Sequence, residues 1–136
     1  MAYEHNAVLE LEIQRALISR DPLRREAVFT FLLPELIQVD PQRVAALFER
    51  QRNGEARNTL RTEVARQWIA RDPKGAIEWM KSLGKADSRA SAIVAMNSVA
   101  AYDPKLSKTI ADEFDIKHAN ASLGDSMPKQ MEVARN

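Results

Sequence analysis

An Asp-Pro dipeptide recurs four times along the chain, and this repeat constrains the fold more than any other feature. A residue before proline is disfavoured in the α conformation, so a preceding helix has to end there. Proline is well tolerated at the first position of the next helix, and an aspartate before it can accept hydrogen bonds from the exposed backbone N–H groups of that helix. Each dipeptide therefore predicts a sharp corner between two helices. The four corners are Asp21-Pro22, Asp40-Pro41, Asp72-Pro73 and Asp103-Pro104.

The last three dipeptides are spaced by 32 and then 31 residues, within the period of about 20–50 residues that stacked supersecondary units show. The apolar residues keep the same period, and spacings of four and eight positions before each aspartate describe one face of a helix. Trp68 and Trp79 both occupy repeating positions, which predicts packing in the core rather than exposed stacking surfaces. The aligned positions hold Leu36, Trp68 and Val99 before the corner, and Leu47, Trp79 and Ile110 after it.

Between these corners the pattern predicts helices with very short connections. Pro34 lies inside the second helix and predicts a kink or a split near Leu33. Gly54 and Gly84 stand at the opposite corners, where they predict helix ends in the left-handed conformation. The seven predicted helices are Glu4–Arg20, Pro22–Val39, Pro41–Gln51, Glu55–Arg71, Pro73–Leu83, Ser88–Tyr102 and Pro104–Phe114.

The first two dipeptides are only 19 residues apart, so one helix of the repeat is missing there. The first helix is therefore predicted to be either a lone capping helix or the remnant of a degenerate repeat, since the end units of repeat arrays are commonly atypical. No stretch alternates apolar and polar residues as a strand would, and the predicted fold class is all-α. The periodic pattern stops at Asp115. We predict a helical-repeat domain over residues 1–115 and a polar C-terminal tail over residues 116–136, with one short helix after Pro128.

The composition limits the chemistry that the chain can carry. Its 136 residues fit one domain, and 20 basic against 19 acidic side chains leave a net charge of +1, which favours neither nucleic acid nor an anionic membrane as a partner. There is no cysteine, there are two histidines (His5 and His118), and no phosphate-binding or nucleophile motif is present. We expect no catalytic residue, no metal site and no cofactor, and hence no enzymatic activity.

The sequence also bears on location. No apolar run approaches the roughly 18 residues of a membrane-spanning helix. The N-terminal residues lack the basic segment followed by an apolar stretch that marks a secretory signal. We therefore expect a cytoplasmic location.

The segment from Thr62 to Leu83, TEVARQWIARDPKGAIEWMKSL, is the clearest unit of the repeat. It resembles the helical-hairpin repeats of α-solenoid proteins, most closely the HEAT-type and TPR-like repeats. The resemblance covers about Glu4 to Phe114, most of the chain. It implies a right-handed superhelix of about three helix pairs with a concave surface that binds other proteins. It implies no catalytic residues.

We therefore expect a non-catalytic protein–protein interaction module whose partner is another protein or a peptide. In HEAT-like stacking the binding surface is lined by the second helix of each pair, which here follows Asp40, Asp72 or Asp103. The solvent-facing candidates on these helices are Gln42, Lys74, Glu78 and Lys105.

Two alternatives remain open at this point. A cluster of arginines at the corner before and within the helix from Glu55 predicts either an anion-binding patch, which would suit nucleic acid, or a solvated corner balanced by Glu49, Glu55 and Glu63. The chain could also be an accessory domain of a larger enzyme. The arginines of the cluster are Arg50, Arg52, Arg57 and Arg61.

Overall fold

The computed structural model describes residues 2–117, and these residues form helices and no strands. The all-α class is thus confirmed for this part of the chain. His118 and the short helix expected after Pro128 lie outside the described residues. The elements are α1 (Ala2–Ile18), α2 (Pro22–Ala27), a π-helical segment (Val28–Leu32), α3 (Leu33–Val39), α4 (Pro41–Glu49), α5 (Glu55–Arg71), α6 (Pro73–Lys81), α7 (Lys85–Val99) and α8 (Pro104–Glu113).

All four aspartates of the Asp-Pro corners cap the helix that follows them, as predicted. In three of them the carboxylate accepts a hydrogen bond from the backbone N–H three residues further on, which is otherwise left without a helical partner. These bonds join Asp40 to Arg43 at 3.2 Å, Asp72 to Gly75 at 3.1 Å and Asp103 to Leu106 at 3.1 Å. At the first corner Asp21 accepts from the Leu23 N–H at 3.1 Å.

The irregularity expected near Leu33 is present as a π-helical turn that joins α2 to α3 in one continuous helical path. The Leu33 N–H donates to the carbonyl of Val28, five residues back. Pro34 has no N–H to donate, and its ring would press on the carbonyl four residues earlier in a regular α-helix. A wider turn relieves that contact. Counted as one helix, α2–π–α3 brings the total to the seven that the sequence predicted, over residues 2–117.

The two glycine corners are built differently from the prediction. Gly54 and Gly84 cap the N-termini of α5 and α7 instead of ending α4 and α6 in the left-handed conformation. Gly54 has φ 145° and ψ −171°, a region open only to glycine. Gly84 has φ −59° and ψ 159°, an extended conformation that any residue can adopt. The predicted left-handed helix ends are therefore wrong at both positions.

A left-handed helix end does occur, at Asp115 (φ 53°) after α8. The Ile116 N–H donates to the Ala111 carbonyl at 2.8 Å, and the Asp115 N–H donates to the Asp112 carbonyl at 3.3 Å. This pair of bonds is a Schellman motif, with Asp115 at the position that usually holds glycine. Ile116 is buried against the core. The packed chain thus extends past residue 115, where the helical pattern of the sequence stops.

The helices pack in two layers around one core. The long helices α5 and α7 lie side by side with α3, which ends the long helical path α2–π–α3, and among these three α5 and α7 are in the most extensive contact. The shorter helices form the second layer: α4 packs on α3 and α5, α6 on α5 and α7, and α8 on α7. Helix α1 packs along the π-helical segment and α3, and it also reaches α4 and α5. This alternation of layers is compatible with a helical repeat.

Because aspartate tolerates the left-handed conformation less well than glycine, replacement of Asp115 should change stability in a predictable direction. Asp115→Gly should raise the free energy of unfolding by about 1 kcal/mol, and the β-branched Asp115→Val should lower it by about 1–2 kcal/mol. Urea denaturation followed by circular dichroism measures both. Equal stability of the glycine variant and the native chain would contradict the assigned motif.

Candidate interaction groove between helices α4 and α6

A ladder of aromatic side chains connects the two layers. The rings of Trp68 on α5 and Trp79 on α6 are stacked, with centroids 5.5 Å apart and planes inclined by 20°. Phe48 on α4 meets Trp79 edge to face at 5.9 Å, and the Arg57 guanidinium lies 4.1 Å from the centroid of the Phe48 ring. Trp68 is 7% exposed and Trp79 is 5% exposed. The prediction that both tryptophans belong to the core is confirmed.

A groove of about 410 Å³ runs between α4 and α6, and both tryptophans form part of its lining. Helix α4 contributes Pro41, Gln42 and Ala45, and the α6 side contributes Asp72, Gly75 and Glu78. The groove combines indole and pyrrolidine surface with carboxylate and amide groups on its rim. Such a mixture of an apolar floor and few polar groups is typical of ligand and peptide sites.

The groove continues past the Asp72 corner. A second depression of about 370 Å³ shares Pro41 and Asp72 with the first and is lined further by Ile37, Gln38 and Arg71. Glu78 therefore stands near one end of this track and Arg71 near the other. A segment lying along the track would meet a negative charge at one end and a positive charge at the other.

The absence of a side chain at Gly75 shapes the groove. A Cβ atom at this position would lie 2.2 Å from Asp72 Oδ2 and 3.1 Å from Trp68 Nε1. The equivalent positions of the neighbouring corners hold Arg43 and Leu106. The third corner therefore differs from its neighbours: a side chain at residue 75 would press on both the capping carboxylate of Asp72 and the indole of Trp68.

The candidate residues of the short helices are all exposed, and two of them meet at the groove. Gln42 and Glu78 line opposite sides of it, whereas Lys74 on α6 and Lys105 on α8 do not contribute to its lining. Among the described residues, none of these four side chains forms an ion pair. Helices α6 and α8 are instead linked by the ion pair between Lys81 and Glu113.

The arginine cluster is largely engaged inside the protein. Arg57 and Arg61 hold the two oxygens of one carboxylate, that of Asp87 on α7, at 2.6 and 2.8 Å. Their side chains are only 15% and 19% exposed. Arg50 is paired with Glu10 on α1, and Arg52 is exposed.

The prediction that Glu49, Glu55 and Glu63 balance these arginines is therefore wrong for Arg50, Arg57 and Arg61. The partners are Asp87, which lies 30 residues after Arg57 and so about one repeat period away, and Glu10, which lies 40 residues before Arg50. Stacked repeats place residues one period apart on adjacent helices, because each unit packs on the next. The period itself was the signal that could have identified Asp87 from the sequence.

The described residues contain no group of three His, Cys, Asp or Glu side chains that could hold a metal ion. His5 is exposed, and its Nε2 lies 2.7 Å from Glu35 Oε2, which links α1 to α3. Within residues 2–117, no helix combines the length and apolarity that crossing a bilayer requires.

Comparison of the chain with protein-family models, curated proteins and solved structures gives no match. The repeat is thus seen in the internal pattern of the sequence, and the packing of the helices is compatible with it.

The proximity of Gly75, Asp72 and Trp68 predicts strong coupling between two substitutions. Gly75→Ala should lower the free energy of unfolding by more than 1 kcal/mol, although alanine is the better helix former by about 1 kcal/mol. In the background of Asp72→Ala, which itself should cost about 0.5–2 kcal/mol, the added methyl group no longer meets the carboxylate. There Gly75→Ala should be neutral or stabilising. A double-mutant cycle by urea denaturation measures the coupling, and additive effects would contradict it.

Asp87 should contribute more to stability than an ordinary surface carboxylate, because it accepts a hydrogen bond from each of two largely buried guanidinium groups. Asp87→Asn should lower the free energy of unfolding by about 1–3 kcal/mol. The matched control is Asp112→Asn, whose exposed pair with Lys108 should be worth less than about 1 kcal/mol. Thermal and urea unfolding of both variants test the difference, which should persist in 1 M NaCl. Equal losses in the two variants would show that the Asp87 pairs are ordinary surface pairs.

Proposed function

We propose that the chain is a non-catalytic helical-repeat module, of HEAT-like or TPR-like type, that binds an extended segment of another protein. The groove between α4 and α6 carries this proposal. Its lining contains two stacked tryptophans, and its rim carries Gln42 and Glu78, whose polar groups form no ion pair within residues 4–117. Helical-repeat proteins commonly present such surfaces to peptides and helices.

The shape of the track favours an extended peptide over a compact ligand. The groove is open along its length and continues past Asp72 towards Arg71. Trp and Pro surfaces supply apolar contact area at little cost in side-chain entropy, because the rings are already held in place by packing. The peptide that fits best has an apolar residue against the indoles and a basic residue near Glu78. An acidic residue near Arg71 would add a second charge contact.

Lys74 and Lys105 extend the proposed surface beyond the groove. Both are exposed on the layer of short helices, α6 and α8, that includes one wall of the groove. Charges at the rim of an interface mainly raise the association rate and its dependence on salt. We assign these two lysines that role towards acidic residues that flank the bound segment.

Binding to nucleic acid is less well supported than binding to protein. A nucleic-acid surface needs several free cationic side chains to replace counterions along the phosphates. Arg50, Arg57 and Arg61 are already bound to carboxylates, which leaves Arg52 from the original cluster. A role as an accessory domain within a larger enzyme is compatible with the same peptide-binding surface. The proposed function is also compatible with a cytoplasmic location.

Selection from a phage-displayed library of random peptides tests the proposed function. The native chain should enrich sequences that combine an apolar residue with a basic one, and Glu78→Lys should abolish their binding. Glu78 is exposed and forms no ion pair in the described part of the chain, so this change should alter stability by less than about 0.5 kcal/mol.

The matched control is Asn97→Lys, an exposed change of similar charge on α7, in the layer of long helices. It should leave peptide binding intact. Absence of enriched peptides, or binding that is lost in Asn97→Lys and retained in Glu78→Lys, would contradict the proposal. A gel shift of DNA or RNA by the native chain at low salt would favour the nucleic-acid alternative.

A further inference from the structure

The hairpin formed by α1 and α2 exposes an unusual amount of apolar surface. Of the seven large hydrophobic side chains that are exposed in the described residues, five lie on this hairpin or on the π-helical turn that continues it. Isolated exposed hydrophobic residues need no explanation, but a contiguous group on a protein surface marks an interaction site. The five are Val8 (56% exposed), Leu11 (44%), Ile18 (80%), Leu23 (77%) and Phe31 (71%).

These side chains share the outer face of the hairpin. On α1 the spacings between Val8, Leu11 and Ile18 are three and seven residues, which places them on one side of the helix. The buried residues Leu9 and Ile13 occupy the opposite side, against the core. On the second helix of the hairpin, Leu23 and Phe31 are eight positions apart, a separation of about two turns, so these two side chains also point the same way.

Two contacts fix how the helices of the hairpin are aligned. His5 forms a hydrogen bond with Glu35 at one end, and Glu12 forms an ion pair with Arg24 nearer the corner. The helices are therefore antiparallel, with Val8 close to the level of Phe31 and Ile18 close to the level of Leu23. The middle of the α1 stripe, between Leu9 and Glu10, lies level with Ala27.

No described element covers this face, because α1 packs on the π-helical segment, α3, α4 and α5 from its other side. An apolar face that the described residues leave uncovered is a candidate site for another molecule.

The charges on the face are self-complementary. Glu4 and Glu35 lie at one end, and the Glu35 carboxylate forms a hydrogen bond with the exposed His5. The other end carries Arg15 and Arg24, which share the single carboxylate of Glu12. One end is therefore acidic and the other basic. A second copy turned end for end would bring each acidic end onto a basic end.

We infer that the outer face of α1 and α2 is the interface of a symmetric homodimer. The two-fold axis lies in the face, crosses α1 between Leu9 and Glu10, and passes α2 near Ala27. This axis packs Val8 against Leu11 of the second copy and, one turn further out, sets Glu4 opposite Arg15 of the second copy. On the other helix the same axis places Leu23 against Phe31 of the second copy. The same residues thus meet their complements on both copies, as an isologous interface requires.

The size of the face indicates a reversible dimer. Seventeen residues of α1 span about 25 Å, and two helices side by side are about 20 Å wide. The two copies together would bury on the order of 1,000 Å², the lower limit for a specific interface. Dimerisation should therefore depend on concentration. The dimer interface uses elements other than α4 and α6, so its test is independent of the test of the proposed peptide groove.

Sedimentation-velocity centrifugation of residues 1–136 over a concentration range of about 1–500 μM tests the dimer. The native chain should shift from monomer to dimer across this range. Leu11→Lys and Phe31→Glu should each raise the dissociation constant at least about 100-fold, since each buries an unpaired charge in the apolar stripe. The matched control is Tyr102→Glu, an exposed aromatic outside the hairpin, which should leave the dimer intact.

A charge exchange distinguishes this geometry from other dimers. Glu4→Arg and Arg15→Glu should each weaken the dimer about tenfold or more, because each sets like charges opposite one another. The double variant Glu4→Arg/Arg15→Glu should restore it. Circular dichroism melts of each variant show whether the monomer remains folded. A native chain that stays monomeric at 500 μM, a dimer that survives Leu11→Lys, or a double variant that fails to recover would overturn the inference.

Discussion

The hydrogen bond from a backbone N–H to the aspartate carboxylate at each Asp-Pro corner is the interaction on which the architecture depends. It lets the next helix begin after only one to four intervening residues, because the carboxylate satisfies an N–H that has no helical partner and proline needs none. The chain therefore reverses with almost no loop, as at Asp72, where α5 ends at Arg71 and α6 begins at Pro73. Short, rigid corners hold each short helix tightly against the long helix before it, and the two-layer arrangement follows.

The corners are chemically alike but not identical, and the differences create the surface features. At the third corner, glycine at the third helical position leaves room for both the Asp72 carboxylate and the Trp68 indole. The neighbouring corners carry Arg43 and Leu106 at that position, and Arg43 is used to bind Glu10 and Asp40 instead. The groove between α4 and α6 is thus a local variation on a regular scaffold. Functional surfaces of repeat proteins typically arise in this way, since the repeat supplies the frame and single positions within it vary.

Much of the fold could be predicted because the Asp-Pro corners and the apolar period are local signals. The bounds predicted for α5, Glu55–Arg71, agree with the structure at both ends. The conformations at Gly54 and Asp115 could not be predicted in the same way. Several backbone arrangements can end or begin a helix, and the one adopted depends on tertiary contacts such as the burial of Ile116.

The candidate site was harder to predict than the helices. Sequence period placed Gln42 and Glu78 on exposed helix faces, but the groove between them depends on the distance between α4 and α6, which no local pattern encodes. The arginine cluster shows the same limit. Charge alone suggested a free patch around Arg57, and its actual partner, Asp87, is a long-range contact. A long-range ion pair such as Arg57–Asp87 can be predicted from the sequence when residues one repeat period apart are compared.

The two proposed surfaces lie on different elements, and this separation has a consequence for binding. The groove belongs to α4 and α6 and the corner between α5 and α6, whereas the dimer face belongs to α1, α2 and the π-helical turn. A dimer formed through the hairpin would leave both grooves open and would carry two peptide sites related by the two-fold axis. A partner with two binding segments on one chain would then bind the second segment at a high effective concentration. Because the dimer face is small, such a partner would in turn stabilise the dimer by linkage. A weak dimer interface and a shallow groove would together give tighter and more selective binding than either surface provides alone.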